Sequence, residues 1–179
     1  MEKGNFDLGH PLGVVRACGA RISDSELLII GGYRRRSKIL MLNTYDNTWQ
    51  YEDPIFLEHK RYDHACIVYN DKVIITGGST EDDYASASTE IIDLGSNLTI
   101  RKGGSLLHKR KLHGMGIISY NGVPTLIAFG GQDITFTPVE TVEIWNDDSE
   151  TWDIALDVKM EIPRHQAGYV TLPRELLCS

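Results

Sequence analysis

Six histidines are the residues of this 179-residue chain best suited to acid–base or metal chemistry, but their spacing favours neither use. They are His10, His59, His64, His108, His113 and His165. Catalytic zinc sites commonly place two histidines one helical turn apart beside a carboxylate, and no such spacing occurs here. Three of the six stand at or near the starts of similar apolar segments: His64, His113 and His165. We expect these three to satisfy backbone carbonyls, with a role as pH-sensitive donors as the alternative.

Other patterns typical of enzymes are also missing from the sequence. It has no Gly-x-Ser-x-Gly nucleophile elbow, and Gly77-Gly78-Ser79 lacks the lysine and the helix that a phosphate-binding loop requires. The sequence therefore predicts a protein that is not an enzyme, with no catalytic residues, no metal site and no cofactor.

The three cysteines are odd in number, far apart and without a Cys-x-x-Cys spacing. This pattern argues against a disulfide framework or a zinc site, so Cys18, Cys66 and Cys178 are predicted to be small buried apolar residues. The first residues lack the apolar run of a signal peptide, and no segment reaches the length of a membrane span. We therefore expect a cytoplasmic protein that does not contact membranes.

An apolar segment that ends in a glycine pair occurs three times, and this repeat organises the chain. The pairs are Gly31-Gly32, Gly77-Gly78 and Gly130-Gly131, which are 46 and 53 residues apart. Downstream, Leu42 stands seven residues before Trp49, and Trp145 stands seven before Trp152. The second copy has Ile92 at the first of these positions and is predicted to have Thr99 at the second. A repeat of this length with four short strands is typical of a propeller blade.

This pattern resembles the kelch repeat, in which a strand ends in Gly-Gly and a later strand carries a Trp after a polar turn. The resemblance covers roughly residues 15–179 and implies an all-β, kelch-type β-propeller segment of three four-stranded antiparallel blades plus the start of a fourth, in an open or partial ring. The predicted boundaries are a flank at 1–14, blades at 15–60, 61–110 and 111–162, and a partial blade at 163–179. Its structural repeat residues are Gly31, Gly32, Trp49, Gly77, Gly78, Gly130, Gly131, Trp145 and Trp152. Unpaired apolar edges of such an arc favour self-association.

The charges sort between the two ends of such blades. Eleven of the eighteen lysines and arginines fall in the loops after the diglycines or in the links between repeats, namely Arg34, Arg35, Arg36, Lys38, Lys60, Arg61, Lys109, Arg110, Lys111, Lys159 and Arg164. A net charge of −7 disfavours nucleic-acid binding by the whole chain but permits a basic face. Kelch proteins commonly bind partner peptides through these loops. The resemblance therefore implies an acidic peptide segment as partner, bound by Tyr33, Arg34, Arg35, Arg61, Arg110 and Arg164.

By resemblance, the function is that of a protein–protein interaction module, with substrate recognition for a cullin-type ubiquitin ligase as the commonest role in the family. Binding to actin or the cytoskeleton is the alternative. An oxidase-type propeller enzyme is a second alternative, but the Tyr, His and Cys copper ligands of such enzymes have no counterpart that we identify in this sequence.

Overall fold

The computed structural model describes residues 15–33, 37–50, 55–95, 97–162 and 164–165 of the chain. All regular structure in these ranges is β-strand, and the ranges contain no helix. The twelve strands are β1 Cys18–Arg21, β2 Glu26–Ile30, β3 Ile39–Asn43, β4 Thr48–Gln50, β5 Ala65–Tyr69, β6 Lys72–Thr76, β7 Thr89–Leu94, β8 Leu98–Gly103, β9 Gly114–Tyr120, β10 Val123–Phe129, β11 Thr141–Asn146 and β12 Thr151–Lys159.

Consecutive strands form three antiparallel sheets of four strands each, none of which closes on itself. Sheet 1 is β1–β4, sheet 2 is β5–β8 and sheet 3 is β9–β12, each paired in chain order. The two-residue turns Asn70-Asp71 and Asn121-Gly122 have positive φ at both positions, as tight hairpins with right-handed strand twist require. The predicted all-β class and the three four-stranded antiparallel sheets are therefore confirmed.

Two apolar cores lie between neighbouring sheets. Leu28 and Ile30 of sheet 1 pack with Val73, Ile75 and Ile92 of sheet 2, and all five side chains are completely buried. The core between sheets 2 and 3 contains the following buried side chains: Ile74, Ile91, Met115, Leu126, Trp145 and Trp152. Strand β6 lies in the middle of sheet 2 and supplies both cores, with Val73 and Ile75 on one face and Ile74 on the other, which explains its continuous apolar run.

The tryptophans differ between sheets. Trp152 is 2% exposed and lies edge-on to Trp145, with ring centroids 5.1 Å apart, whereas Trp49 is half-buried although its cross-strand position is the same. Their equivalent places in the repeat predict that Trp49 and Trp152 are both buried, and this prediction is correct for Trp152 only. Thr99 does not take the tryptophan position in sheet 2, because Ile92 pairs with Ile100 and the hairpin between them is one residue longer.

Cys18 and Cys66 form a disulfide, which corrects the prediction that the cysteines are free apolar residues. Their Cα atoms are 5.9 Å apart, and the bond joins β1 to β5, the neighbouring first strands of sheets 1 and 2. This pairing could not be predicted from the sequence, because 48 residues separate the two cysteines and only the packing of one sheet on the next brings their strands together. Cys178 lies outside the described residues.

Reduction of this disulfide is expected to lower the free energy of unfolding by about 3 kcal/mol, because the cross-link restricts the unfolded chain. The measurement is thermal or urea unfolding with and without a phosphine reductant. As a control, the double variant Cys18→Ser/Cys66→Ser should unfold identically in both conditions. A reductant effect that persists in this variant would assign the stabilisation to another bond.

Candidate functional site

One end of the three sheets carries both the loops that follow the diglycines and the links between sheets, and we call this end the loop face. It comprises residues 15–17, which precede β1 and bond to Tyr33 and Asp63, and the described parts of residues 31–38, 51–64, 77–88, 104–113, 130–140 and 160–165. Short antiparallel bridges join each loop to a link: Lys38 with Phe56, Tyr62 with Ser79 and Lys111 with Gln132. These bridges hold the loop face as a continuous surface across the sheets.

Two arginines that the sequence suggests as partner contacts are completely buried below this surface. The Nη2 atoms of Arg61 and Arg110 lie 2.6 Å from the Oε1 atoms of Glu90 and Glu143, and all four side chains are 0 or 1% exposed. Burial lowers the pKa of both guanidinium groups, and the adjacent carboxylate opposes that shift. Arg61 and Arg110 are therefore inaccessible to a partner.

Each buried glutamate also accepts backbone hydrogen bonds from the link before it. Glu143 accepts from Leu107 N at 2.6 Å and His108 N at 3.0 Å, while Arg110 Nη1 donates to the carbonyls of Gly130 and Thr141. The pair therefore ties a link to the next loop on the surface. Neither glutamate was predicted from the sequence. The available signal is that Glu90 and Glu143 each come directly before apolar residues in the third strand of successive repeats.

The diglycines meet these arginines through the backbone. Gly32 N and Gly78 N donate to the carbonyls of Arg61 and Arg110 at 3.0 Å, and Gly131 N donates to the carbonyl of Arg164 at 2.7 Å. All six diglycine residues have φ between 61° and 99°, a region that other residues enter at a cost. The side chain of Arg164 is exposed and has no acidic partner among the described residues.

The other basic groups of the loop face are mostly neutralised. Lys60 Nζ lies 3.1 Å from Glu81 Oε1, and Lys109 Nζ lies 2.8 Å from Asp83 Oδ1. Lys111 is 2% exposed. Arg34 and Arg35 lie outside the described residues. The charge sorting seen in the sequence therefore does not produce a basic surface in the part of the chain that the structure describes.

Exposed apolar side chains concentrate on the loop face instead. Eleven large apolar residues among the described ones are exposed, and eight of them lie here: Val15, Tyr33, Phe56, Tyr84, Leu107, Ile134, Phe136 and Ile162. Soluble proteins rarely collect exposed apolar side chains on one surface unless that surface has a partner. Tyr33 therefore lies on the face predicted to bind a partner, where it packs against the aromatic ring of Tyr62.

Aromatic side chains and cations form two clusters where neighbouring sheets meet. In the first, Tyr33 lies edge-on to Tyr62 at 5.4 Å, and the Arg16 guanidinium, paired with Asp63, lies 5.0 Å above the Tyr62 ring. In the second, Tyr84 and Phe136 are 5.3 Å apart, and Lys111 Nζ lies 3.2 Å from the centroid of Tyr84. Cation–π contacts of this kind hold the rings in place at the surface.

Two of the three histidines singled out by their position are buried, and the third is exposed. Burial lowers the pKa of His64 to about 3, with a contribution from the charge of Arg61. Burial likewise lowers the pKa of His113 well below its usual value, with Arg110 adding to the shift, while His113 Nε2 lies 2.8 Å from Thr76 Oγ1. Both rings are therefore neutral at pH 7. His165 is on the surface.

Acidic side chains at the opposite end of the sheets are engaged in structural contacts. Asp147 accepts hydrogen bonds from Tyr69 Oη at 2.9 Å and Trp145 Nε1 at 3.0 Å. Glu150 pairs with Arg101 and Lys72, and the hydrogen bond from Arg101 contributes most to lowering the pKa of Glu150 to about 2. These contacts tie sheet 2 to sheet 3.

Within the described ranges, no cluster of three or more His, Cys, Asp or Glu side chains is placed to hold a metal ion, and no helix is long and apolar enough to cross a membrane. In comparisons with known proteins, no family model matches this chain, and no curated protein matches it either.

Proposed function

We propose that this chain is a non-enzymatic protein-interaction module, built as part of a kelch-type β-propeller, that docks a partner protein on its loop face. The observation that carries the proposal is the collection of eight exposed large apolar side chains on that face, out of eleven in the described residues. The repeated diglycine contacts and the three consecutive four-stranded sheets support the propeller assignment.

The arrangement suits a docking surface in physical terms. Aromatic rings supply much of the binding energy at protein interfaces, and a polar rim keeps water away from them. Here Tyr33, Tyr84 and Phe136 are about half exposed, and the ion pairs of Lys60 with Glu81 and of Lys109 with Asp83 lie on the same face. Substrate recognition for a cullin-type ubiquitin ligase is one use of such a surface, and the presence of a cullin among co-purifying proteins would support that use.

Site-specific photo-cross-linking tests the docking face. A benzophenone amino acid replaces Tyr33 or Phe136 on the loop face, or Tyr45 or Val123 at the opposite end, and each protein is irradiated in an extract of the cells that make it. All four positions are exposed, and the two control positions are at least as exposed as the two loop-face positions. We expect discrete adducts from the two loop-face positions only. Adducts that form equally well at Tyr45 and Val123 would contradict the proposal.

A further inference from the structure

An open groove crosses the loop face of sheet 3, between the link before β9 and the loop before β11. It encloses about 420 Å³, and its apolar lining consists of Leu107, Ile134, Pro138 and Val139. Leu107 is 56% exposed and Ile134 is 54% exposed, so the groove presents uncovered apolar surface.

The walls of the groove are fixed in position by hydrogen bonds. Leu107 N donates to the buried carboxylate of Glu143 on one side. On the other side, Asp133 Oδ1 accepts from Thr135 N at 2.8 Å and Thr137 N at 2.9 Å, and Val139 N donates to the carbonyl of Gly131 at 3.0 Å. A preformed groove of this kind lowers the ordering cost of binding.

The charge of the groove is negative. Among the described residues that line it, Lys109 is the only lysine, and the pair with Asp83 at 2.8 Å neutralises its charge. Asp133 and Glu140 also line the groove, and neither has a cationic partner among the described residues. Hydrogen bonds, foremost from the Thr135 hydroxyl, lower the pKa of Asp133, so its carboxylate is ionised at neutral pH.

We propose that this groove receives a partner segment in which a bulky apolar side chain adjoins a lysine or arginine. The apolar side chain packs between Leu107 and Ile134, and the cation lies against Asp133 and Glu140. The inference rests on the loop face being the docking surface. It reverses the charge expected from the sequence, since Arg61 and Arg110 are buried and the uncompensated charges at the groove are carboxylates.

Selection from a phage-displayed library of random dodecapeptides on the immobilised protein tests this chemistry. We expect enriched peptides to carry Leu, Ile, Phe or Trp within three residues of Lys or Arg. A synthetic peptide of the enriched sequence should bind the Ile134→Ser variant about tenfold more weakly. It should bind the isosteric Asp133→Asn/Glu140→Gln variant about threefold more weakly. The affinity of the peptide for the wild-type protein should fall as salt rises. Tyr45→Ser, at the opposite end, is the matched control and should bind normally.

Enrichment of acidic peptides, or absence of any enrichment, would overturn the inference, as would binding that is unaffected by both the Ile134 and the Asp133/Glu140 variants. Failure of the two proposals is distinguishable. Cross-links at the loop face together with enrichment of acidic peptides would support the docking face but contradict a basic partner segment. Absence of cross-links at Tyr33 and Phe136 would remove the docking face whichever peptides are enriched.

Discussion

Replacement of Arg110 by methionine is expected to lower the free energy of unfolding by about 3 to 5 kcal/mol, because it leaves the buried carboxylate of Glu143 without a counter-charge. Arg110 is 0% exposed and donates to Glu143, Gly130 and Thr141, so its replacement removes a donor from all three of these acceptors. The measurement is equilibrium urea unfolding monitored by tryptophan fluorescence, which reports on Trp152 in the adjacent core.

Two further variants decide whether the cost comes from the unpaired charge. The double variant Arg110→Met/Glu143→Leu removes both charges and should recover much of the loss. Arg101→Met breaks the pairs with Asp93 and Glu150, which are partly exposed, and should cost about 1 kcal/mol or less. Equal costs for Arg110→Met and Arg101→Met would contradict the prediction. The same reasoning applies to Arg61, which forms the equivalent buried pair with Glu90.

Stability is expected to fall steeply as the pH is lowered from 6.5 to 5, because of His64 and His113. The pKa of each ring is lower in the folded protein than in the unfolded chain, so the unfolded chain binds more protons in this range and acid favours unfolding. The stabilisation is complete above the unfolded value near 6.5 and is lost progressively toward the folded pKa, about 3 for His64. His64 alone should account for a loss of about 2 kcal/mol of stability by pH 5, and His113 should add to that loss.

Urea unfolding at a series of pH values checks this expectation. The variant His64→Gln/His113→Gln should show a nearly flat free energy of unfolding between pH 6.5 and 5, even if it is less stable throughout. Carboxylates such as Glu150, whose pKa is lowered to about 2, act only below their ordinary pKa of 4.5 and therefore leave this window to the histidines. Constant stability of the wild-type protein from pH 6.5 to 5 would contradict this expectation. It would show that the folded and unfolded chains bind the same number of protons in this range.

The all-β class and the division into three four-stranded sheets could be predicted from the sequence. Both depend on local signals, namely apolar runs of strand length, turn residues such as Asn70-Asp71 and the glycine pairs that repeat along the chain. Local signals of this kind are set by backbone sterics and by side-chain alternation over a few residues, so they are legible without the tertiary structure. The sequence predicted Thr99 at the tryptophan position, but Ile100 takes it because the hairpin in sheet 2 is one residue longer.

The candidate site was only partly predictable. The loop face follows from strand order alone, because alternate connections of an antiparallel meander lie at the same end. The state of each side chain on that face depends on partners far away in sequence. Arg61 and Glu90 are 29 residues apart, and their contact buries Arg61, which the sequence suggested as a binding residue. Lys60 and Lys109, which lie in basic runs of the sequence, are paired with Glu81 and Asp83 from another loop.

The sequence by itself determined the repeat, the strands and the end of the sheets at which the variable loops meet. Only the tertiary structure decided which charges are buried, which are paired and which cysteines are joined. The physical reason is that burial and pairing are set by the packing of one sheet against the next. That packing brings Cys18 to Cys66, buries Arg110 beside Glu143 and leaves Leu107 and Ile134 uncovered at the surface.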